Sequence, residues 1–300
     1  MKVMTIKQVK QGAFRREVLF LERDLHRHRV LFYYPLSQGD SSGAQHNESP
    51  VLYLHGTGND ATYLTHDLVT YLTEKQVMVI AVDLEGHGRL SEGTWCGDIA
   101  QFMADLTQFL RRHNVTSIHL TGHSLGGVIA CLSYHHYLSH KNSWPVAILS
   151  VTCLAVPTRI NFSRIFWELT LFKSPSFFRY IWNHGLYSSL PACGWFKRKQ
   201  FPIRLVDDKN HNGSGNVSYP LFFSRWITRQ QVINVLKGLL NQEGKIFWIE
   251  SAFDGLSESL PQDLKEDLNR LSSYLRVKTS HLGVLIEPEV IANIYRHIIS

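Results

Sequence analysis

Gly122-His123-Ser124-Leu125-Gly126-Gly127 lies directly after the β-rich run 117–121 (SIHLT) and directly before the helical run 128–137, and this placement decides the fold class. A serine held between two small residues where a strand turns into a helix is forced into a strained backbone conformation, and strand and helix press close to positions 122 and 126. Only the smallest side chains fit there, and both are glycine. The serine hydroxyl then stands above the carboxyl edge of a sheet, while the helix start supplies N–H groups and a favourable dipole. The bland alternative is a glycine-rich turn with an incidental serine, against which the flanking strand and helix argue.

Working outward, segments rich in β-branched and aromatic residues recur at 17–21, 29–34, 51–55, 77–83, 117–121, 146–156, 245–250 and 274–279, which predicts eight strands. Runs such as VMVIAV at 77–82 lack in/out alternation, as central parallel strands covered on both faces do. Helix-length stretches fall between them at 64–74, 97–113, 125–139, 261–272 and 288–299. Alternating β and α units predict a mostly parallel sheet flanked by helices, an α/β protein. The polar stretch 37–50 (SQGDSSGAQHNESP) reads as a surface loop joining strands 29–34 and 51–55 into a hairpin.

Residues 157–230 break the alternation and read as an insertion, leaving 1–156 and 231–300 as the core. Between 161 and 226 lie 16 of the chain's 35 aromatic residues, with nine Lys/Arg against three acids. That local surplus equals the formal +6 of the entire chain, so the basic character belongs to the insertion.

A serine hydroxyl is a poor nucleophile unless a base takes its proton and a third group fixes the tautomer of that base. The chain offers both downstream, in the order that this strand–turn–helix motif requires. Asp254 follows the strand 245–250 in the turn Ser251-Ala252-Phe253-Asp254-Gly255, and His281 follows the strand 274–279. Ser124, Asp254 and His281 thus each fall just past the carboxyl end of a different strand, where open α/β sheets build their sites. Glu250 and Glu258 are neighbouring carboxylates that could replace Asp254; the strand 146–156 carries no acid before Glu168, which favours the later position. Backbone N–H groups able to receive a developing oxyanion are expected from Leu125 and from Thr57 in the loop His55-Gly56-Thr57-Gly58. His55 and His123 read as structural.

With these residues assembled, the chain resembles the α/β-hydrolases. His55-Gly56-Thr57-Gly58 and the stretch Asp83-Leu84-Glu85-Gly86-His87-Gly88-Arg89-Leu90-Ser91-Glu92-Gly93 look like the monoacylglycerol lipase, lysophospholipase and serine aminopeptidase-like group, with Leu90 one residue more than that pattern holds. The resemblance implies a helical cap over the site, formed by 157–230, and hydrolysis of a carboxylic ester through an acyl-enzyme on Ser124. Aromatics such as Phe166, Trp167, Phe177 and Phe178 could line an acyl channel, while the Lys/Arg surplus draws the cap to anionic headgroups or an anionic membrane surface. An equally simple reading makes those aromatics a private core and the charges solvated.

Other classes fare less well. An aminopeptidase needs carboxylates to hold an ammonium group, and the insertion is poor in them. An acyltransferase would use the same residues with an acceptor other than water, and a non-catalytic binding protein on this fold is a third class. Lys197-Arg198-Lys199 has no nucleic-acid recognition motif beside it, so no nucleic-acid partner is expected. The four cysteines show no CxxC pair and the histidines no metal-ligand spacing, so neither metal nor cofactor is expected. No signal-peptide pattern opens the sequence and no window reaches the roughly 18 apolar residues of a membrane span, so a cytoplasmic protein with at most peripheral membrane contact is expected.

Overall fold

The computed structural model describes residues 6–11, 14–23, 26–36, 49–56, 60–62, 66–84, 87, 99–158, 229–242, 244–254, 259–279, 281 and 283–300. Among these, nine strands form one sheet: β1 (Ile6–Gln11), β2 (Phe14–Arg23), β3 (His26–Pro35), β4 (Val51–Leu54), β5 (Val79–Val82), β6 (Ser117–His123), β7 (Ala147–Leu154), β8 (Ile246–Ser251) and β9 (Tyr274–Val277). Their spatial order is β1-β2-β3-β5-β4-β6-β7-β8-β9. From β5 to β9 every pairing is parallel, and β1, β2 and β3 add an antiparallel edge. The eight expected strands are all present. β1 is an addition, because a short polar–apolar alternation carries little signal without the β2 partner it pairs with.

The expected hairpin between residues 29–34 and 51–55 does not form. β3 runs antiparallel to β5, with Val30 opposite Val82 and Tyr33 opposite Val79, and β4 lies on the far side of β5. The cause is that β5 (VIAV) is buried along its whole length and needs a partner on each edge. The crossover from β4 through α1 (His66–Glu74) sets it parallel to β4 on one side, and β3 closes the other. The antiparallel ladder at this end is instead β2 with β3, from Phe14 opposite Pro35 to Arg23 opposite His26.

Helices cover both faces. α2 (Ile99–Arg112), α3 (Leu125–Ser139), α4 (Arg229–Asn241) and α5 (Gln262–Arg270) bury Phe102, Leu106, Val128, Leu236 and Leu264 against Leu52, Ile80, Leu120 and Val151. On the opposite face α1 and α6 (Pro288–Ile299) bury Leu68, Leu72, Ile291 and Ile294 against Tyr53, Val79 and Phe247. α4 was not among the expected helices; it straddles the inferred end of the insertion at residue 230 and packs on α3. α3 lies over the sheet centre and is apolar almost all round, as suits a helix with little solvent-facing surface. Among the described residues no helix is long and apolar enough to cross a membrane.

From β4 the chain steps to one side for β5 and to the other for β6. Such a reversal opens a crevice at the carboxyl ends of the two strands flanking it, where doubly wound sheets bind ligands. β4 runs on into His55-Gly56 and β6 into Ser124, so both lead into that crevice.

Candidate active site

Ser124 separates β6 from α3 and has φ 52° and ψ −116°. A non-glycine residue in such a conformation costs about 1–3 kcal/mol and persists only where its surroundings over-determine it. Here they do. The Ser124 N–H donates to the Leu154 carbonyl of β7 at 2.9 Å, and the Ser124 carbonyl accepts the Val128 N–H at 3.1 Å, starting α3. A Cβ on Gly122 would collide with the Gly126 carbonyl, and one on Gly126 with the Leu54 carbonyl of β4. The backbone-to-backbone approach that the motif demands is therefore present, and Ser124 is held nearly enclosed, 9% exposed.

Asp254 stands in the turn after β8. The Ala252 N–H donates to the Val277 carbonyl at 2.8 Å and the Phe253 N–H to the Thr279 carbonyl at 3.0 Å, which lashes the turn to the end of β9. His281 follows β9. Its Nδ1–H donates to Asp254 Oδ2 at 2.7 Å, with the two side chains 6% and 5% exposed. This bond assigns the proton to Nδ1 and leaves Nε2 as the proton acceptor. Glu250 faces other partners: its carboxylate accepts from the Ser259 hydroxyl at 2.5 Å, the Leu260 N–H at 3.2 Å and Lys265 Nζ at 3.3 Å. Glu258 lies outside the described residues.

The Leu125 N–H belongs to the first turn of α3, where backbone donors have no partner within the helix. Thr57, the other expected oxyanion donor, lies outside the described residues, as do Phe166, Trp167, Phe177 and Phe178. The start of that loop is well defined. His55 Nε2 accepts the Leu84 N–H at 3.0 Å, so its Nδ1–H donates to the Gly56 carbonyl at 2.8 Å. Complete burial pushes the His55 pKa down to about 4, which keeps the ring neutral in this one tautomer.

Two features had no local signal in the sequence. His123 is buried, and its Nε2–H donates to the main-chain carbonyl of His281 at 2.9 Å. Its Nδ1 has no hydrogen-bond partner among the described residues and lies 2.8 Å from where a Cβ on Gly56 would stand. The ring therefore touches the Ser124 turn, the backbone at His281 and the loop that begins at Gly56 together; burial lowers its pKa to about 3. The second feature is a buried charge cluster behind the loop. Arg29 Nε and Nη2 donate to Asp83 Oδ2 and Oδ1, both at 3.1 Å, and Arg29 Nη2 stands 3.6 Å from Asp60 Oδ1. Asp83 Oδ1 also takes the Ala61 N–H at 2.5 Å, so the cluster clamps the far end of the loop that begins at Gly56. Burial raises the pKa of Asp83, whereas the Arg29 charge and the Thr62 hydrogen bonds outweigh burial and lower that of Asp60.

Sheet order, crevice and the strained Ser124 turn together give this chain the α/β-hydrolase fold. An alpha/beta hydrolase from Novosphingobium aromaticivorans superposes with a TM-score of 0.59 over 96% of this chain and 99% of that one, at 16% identity. Within the fold, a family model described as serine aminopeptidase, S33, matches residues 45–185. The chain is 31% identical to Protein phosphatase methylesterase 1 of Candida albicans over 127 residues, 41% of this chain and 32% of that protein. It is 30% identical to Ethanol acetyltransferase 1 of Eremothecium cymbalariae over 92 residues, 31% of this chain and 25% of that protein. The chain thus spans about a quarter to a third of the length of these curated relatives.

Proposed function

We propose that the protein is a serine hydrolase that cleaves a carboxylic ester with a lipid-like acyl group, through an acyl-enzyme on Ser124. The observation that carries this reading is the strained, buried Ser124 at the sheet's switch point, whose neighbour His123 holds the main-chain carbonyl of His281, itself closed on Asp254 at 2.7 Å. His281 Nε2 takes the Ser124 hydroxyl proton as Oγ attacks the ester carbonyl, and the Asp254 carboxylate stabilises the imidazolium that forms. The Leu125 N–H, with a second donor from Thr57, receives the oxyanion. Collapse of the tetrahedral intermediate hands the proton from His281 to the departing alcohol. Water then repeats the sequence on the acyl-enzyme, His281 acting first as base and then as acid.

Residues 157–230 form the cap in this reading. Phe166, Trp167, Phe177 and Phe178 line the acyl channel, and the cap's cationic surplus favours anionic lipid surfaces. A second reading, acyl transfer to an alcohol, is favoured by the similarity to Ethanol acetyltransferase 1; it uses the same acyl-enzyme with a different acceptor.

The test is a rate profile on p-nitrophenyl esters from acetyl to palmitoyl, with and without anionic vesicles and with ethanol as acceptor. Fluorophosphonate labelling of Ser124 is followed in parallel. Ser124→Ala should abolish labelling and turnover, and Asp254→Asn should lower kcat about a thousandfold or more. Long-chain preference with vesicle activation supports the lipid reading, and ethyl ester formation the transferase one. An unlabelled, inactive wild-type protein overturns both.

A further inference from the structure

Glu250 ends up in none of the roles above, yet its carboxylate faces a hydroxyl, a backbone N–H and two cations. It lies on β8, four residues before Asp254, and is 9% exposed. Besides Ser259, Leu260 and Lys265 it stands 3.4 Å from Arg276 Nε of β9. Ser259 and Leu260 are where the excursion that starts at Ser251 returns to the core, just ahead of α5. One carboxylate thus closes the loop that carries Asp254, while the Ala252 and Phe253 backbone bonds fix its outgoing arm to β9. Glu250 and Asp254 also line one small cavity of about 10 Å³, together with Thr158, Trp248 and Leu260. Both carboxylates therefore face the same small space beside the β8 turn.

We propose that Glu250 is a positioning residue for the acid–base pair: it clamps the loop that presents Asp254 to His281, and its charge, balanced by Lys265 and Arg276, helps set the ionisation of that pair. The proposal rests on the serine-hydrolase reading of the site. Mechanically, the clamp holds the Asp254 carboxylate at hydrogen-bond distance from His281 Nδ1 without any contact of its own with the substrate. Electrostatically, Glu250 opposes two cations that would otherwise disfavour the imidazolium. The groups facing Glu250 are Lys265 from α5 with Arg276 and Tyr274 from β9; those facing His281 are Asp254 from the β8 turn and His123 from β6. Tyr274, its phenol pushed far up by burial and by Glu250 itself, stays neutral throughout.

The experiment uses the full chain and three variants: Glu250→Gln, Glu250→Ala and the double variant Glu250→Gln/Lys265→Met. For each, kcat and KM on p-nitrophenyl butyrate are measured from pH 5 to 9, with the rate of fluorophosphonate labelling and the thermal midpoint. The acidic limb of kcat/KM reports the base in the free enzyme. Glu250→Gln should move that limb to lower pH by about half a unit, since two cations lose their counter-charge. Glu250→Ala should add a fall in kcat of about tenfold with little change in KM, because the acid is displaced rather than the substrate. Removing Lys265 in the double variant should bring the limb back toward the wild-type position.

Folded variants with the wild-type limb and kcat overturn the proposal. So does activity that falls only in step with the thermal midpoint while the limb stays in place, because that is the mark of a merely structural residue. If Glu250→Ala does not fold, Glu250→Gln alone decides through the limb. A wild-type protein that neither turns over esters nor labels at Ser124 sinks the hydrolase reading and this proposal with it, an outcome distinct from the others.

Discussion

His123 shows how one side chain can join pieces of a site that the sequence keeps far apart. Its main chain leads into the Ser124 turn, its Nε2–H holds the His281 carbonyl, and its bare Nδ1 side abuts Gly56. A glutamine retains an N–H donor near the Nε2 position, whereas a phenylalanine keeps the volume and loses the donor. His123→Phe should therefore lower kcat by about ten- to a hundredfold with KM nearly unchanged, and His123→Gln should recover a large part of the loss. Steady-state kinetics on a short-chain ester checks this; equal rates for the two variants would reduce the ring to a space filler. Ser124, Asp254 and His281 stand out in the sequence as candidates because each follows a strand and their order is the one the motif requires. The choice between Asp254 and Glu250 needed geometry, since four residues of turn put either carboxylate within reach on paper. The Arg29–Asp83 pair joins positions 54 apart with no local pattern, which is why periodicity and motif reading passed over it.

At the level of elements, the carboxyl edge is shaped by how closely β4, β6 and α3 approach. A methyl group on Gly126 would meet the carbonyls of Leu54, the last residue of the central β4, and of His55 just after it, and this backbone cannot retreat. Gly238, inside α4, offers the contrast: an added Cβ would meet only the far end of the His135 ring, at 2.6 Å from Nε2, and that ring can swing away. Gly126→Ala should cost about 2 kcal/mol or more through overpacking, whereas Gly238→Ala should be neutral or gain up to about 1 kcal/mol from helix propensity. Thermal denaturation of both variants measures the difference; a Gly126→Ala protein as stable as wild type would mean that α3 can shift on the sheet. The same closeness explains which elements were readable. All-apolar strands and the glycine-spaced turn announce themselves, but strand order does not: β3 and β4 are successive in the chain and look like a hairpin until β5, which no local feature assigns to either edge, takes the place between them. β1 escaped notice because its pairing with β2 is all that makes it a strand.

Across the whole molecule, burial holds several histidines neutral among the described residues. Burial lowers the pKa of His55 to about 4 and of His123 to about 3, at the carboxyl edge of the sheet. It lowers those of His119 and His297 to about 4 near the opposite edge, where His119 Nδ1 and the Ser150 hydroxyl lie 2.8 Å apart and His297 stacks on Phe247 at 5.3 Å. In the unfolded chain each of these rings takes up a proton near pH 6.5. The unfolded state therefore binds more protons than the folded one between about pH 6.5 and 4, so stability is full above that window and falls as the pH drops through it. Asp60, whose folded pKa is lowered, adds to the loss at the acid end, while Asp83, whose pKa is raised, opposes it. Each fully enclosed ring removes about 1.4 kcal/mol per pH unit within the window. His55 and His123 alone would thus remove several kcal/mol by about pH 4.5, a large share of the 5–15 kcal/mol typical of a folded domain. Thermal midpoints should be level from pH 8 to 7, decline steeply below about pH 6, and decline less steeply in a His119→Asn variant, which replaces one titrating ring at a distance from Ser124. Midpoints that hold constant down to pH 4.5 would mean that these rings gain their protons in the folded state as readily as in the unfolded one, and that the core opens to water around them.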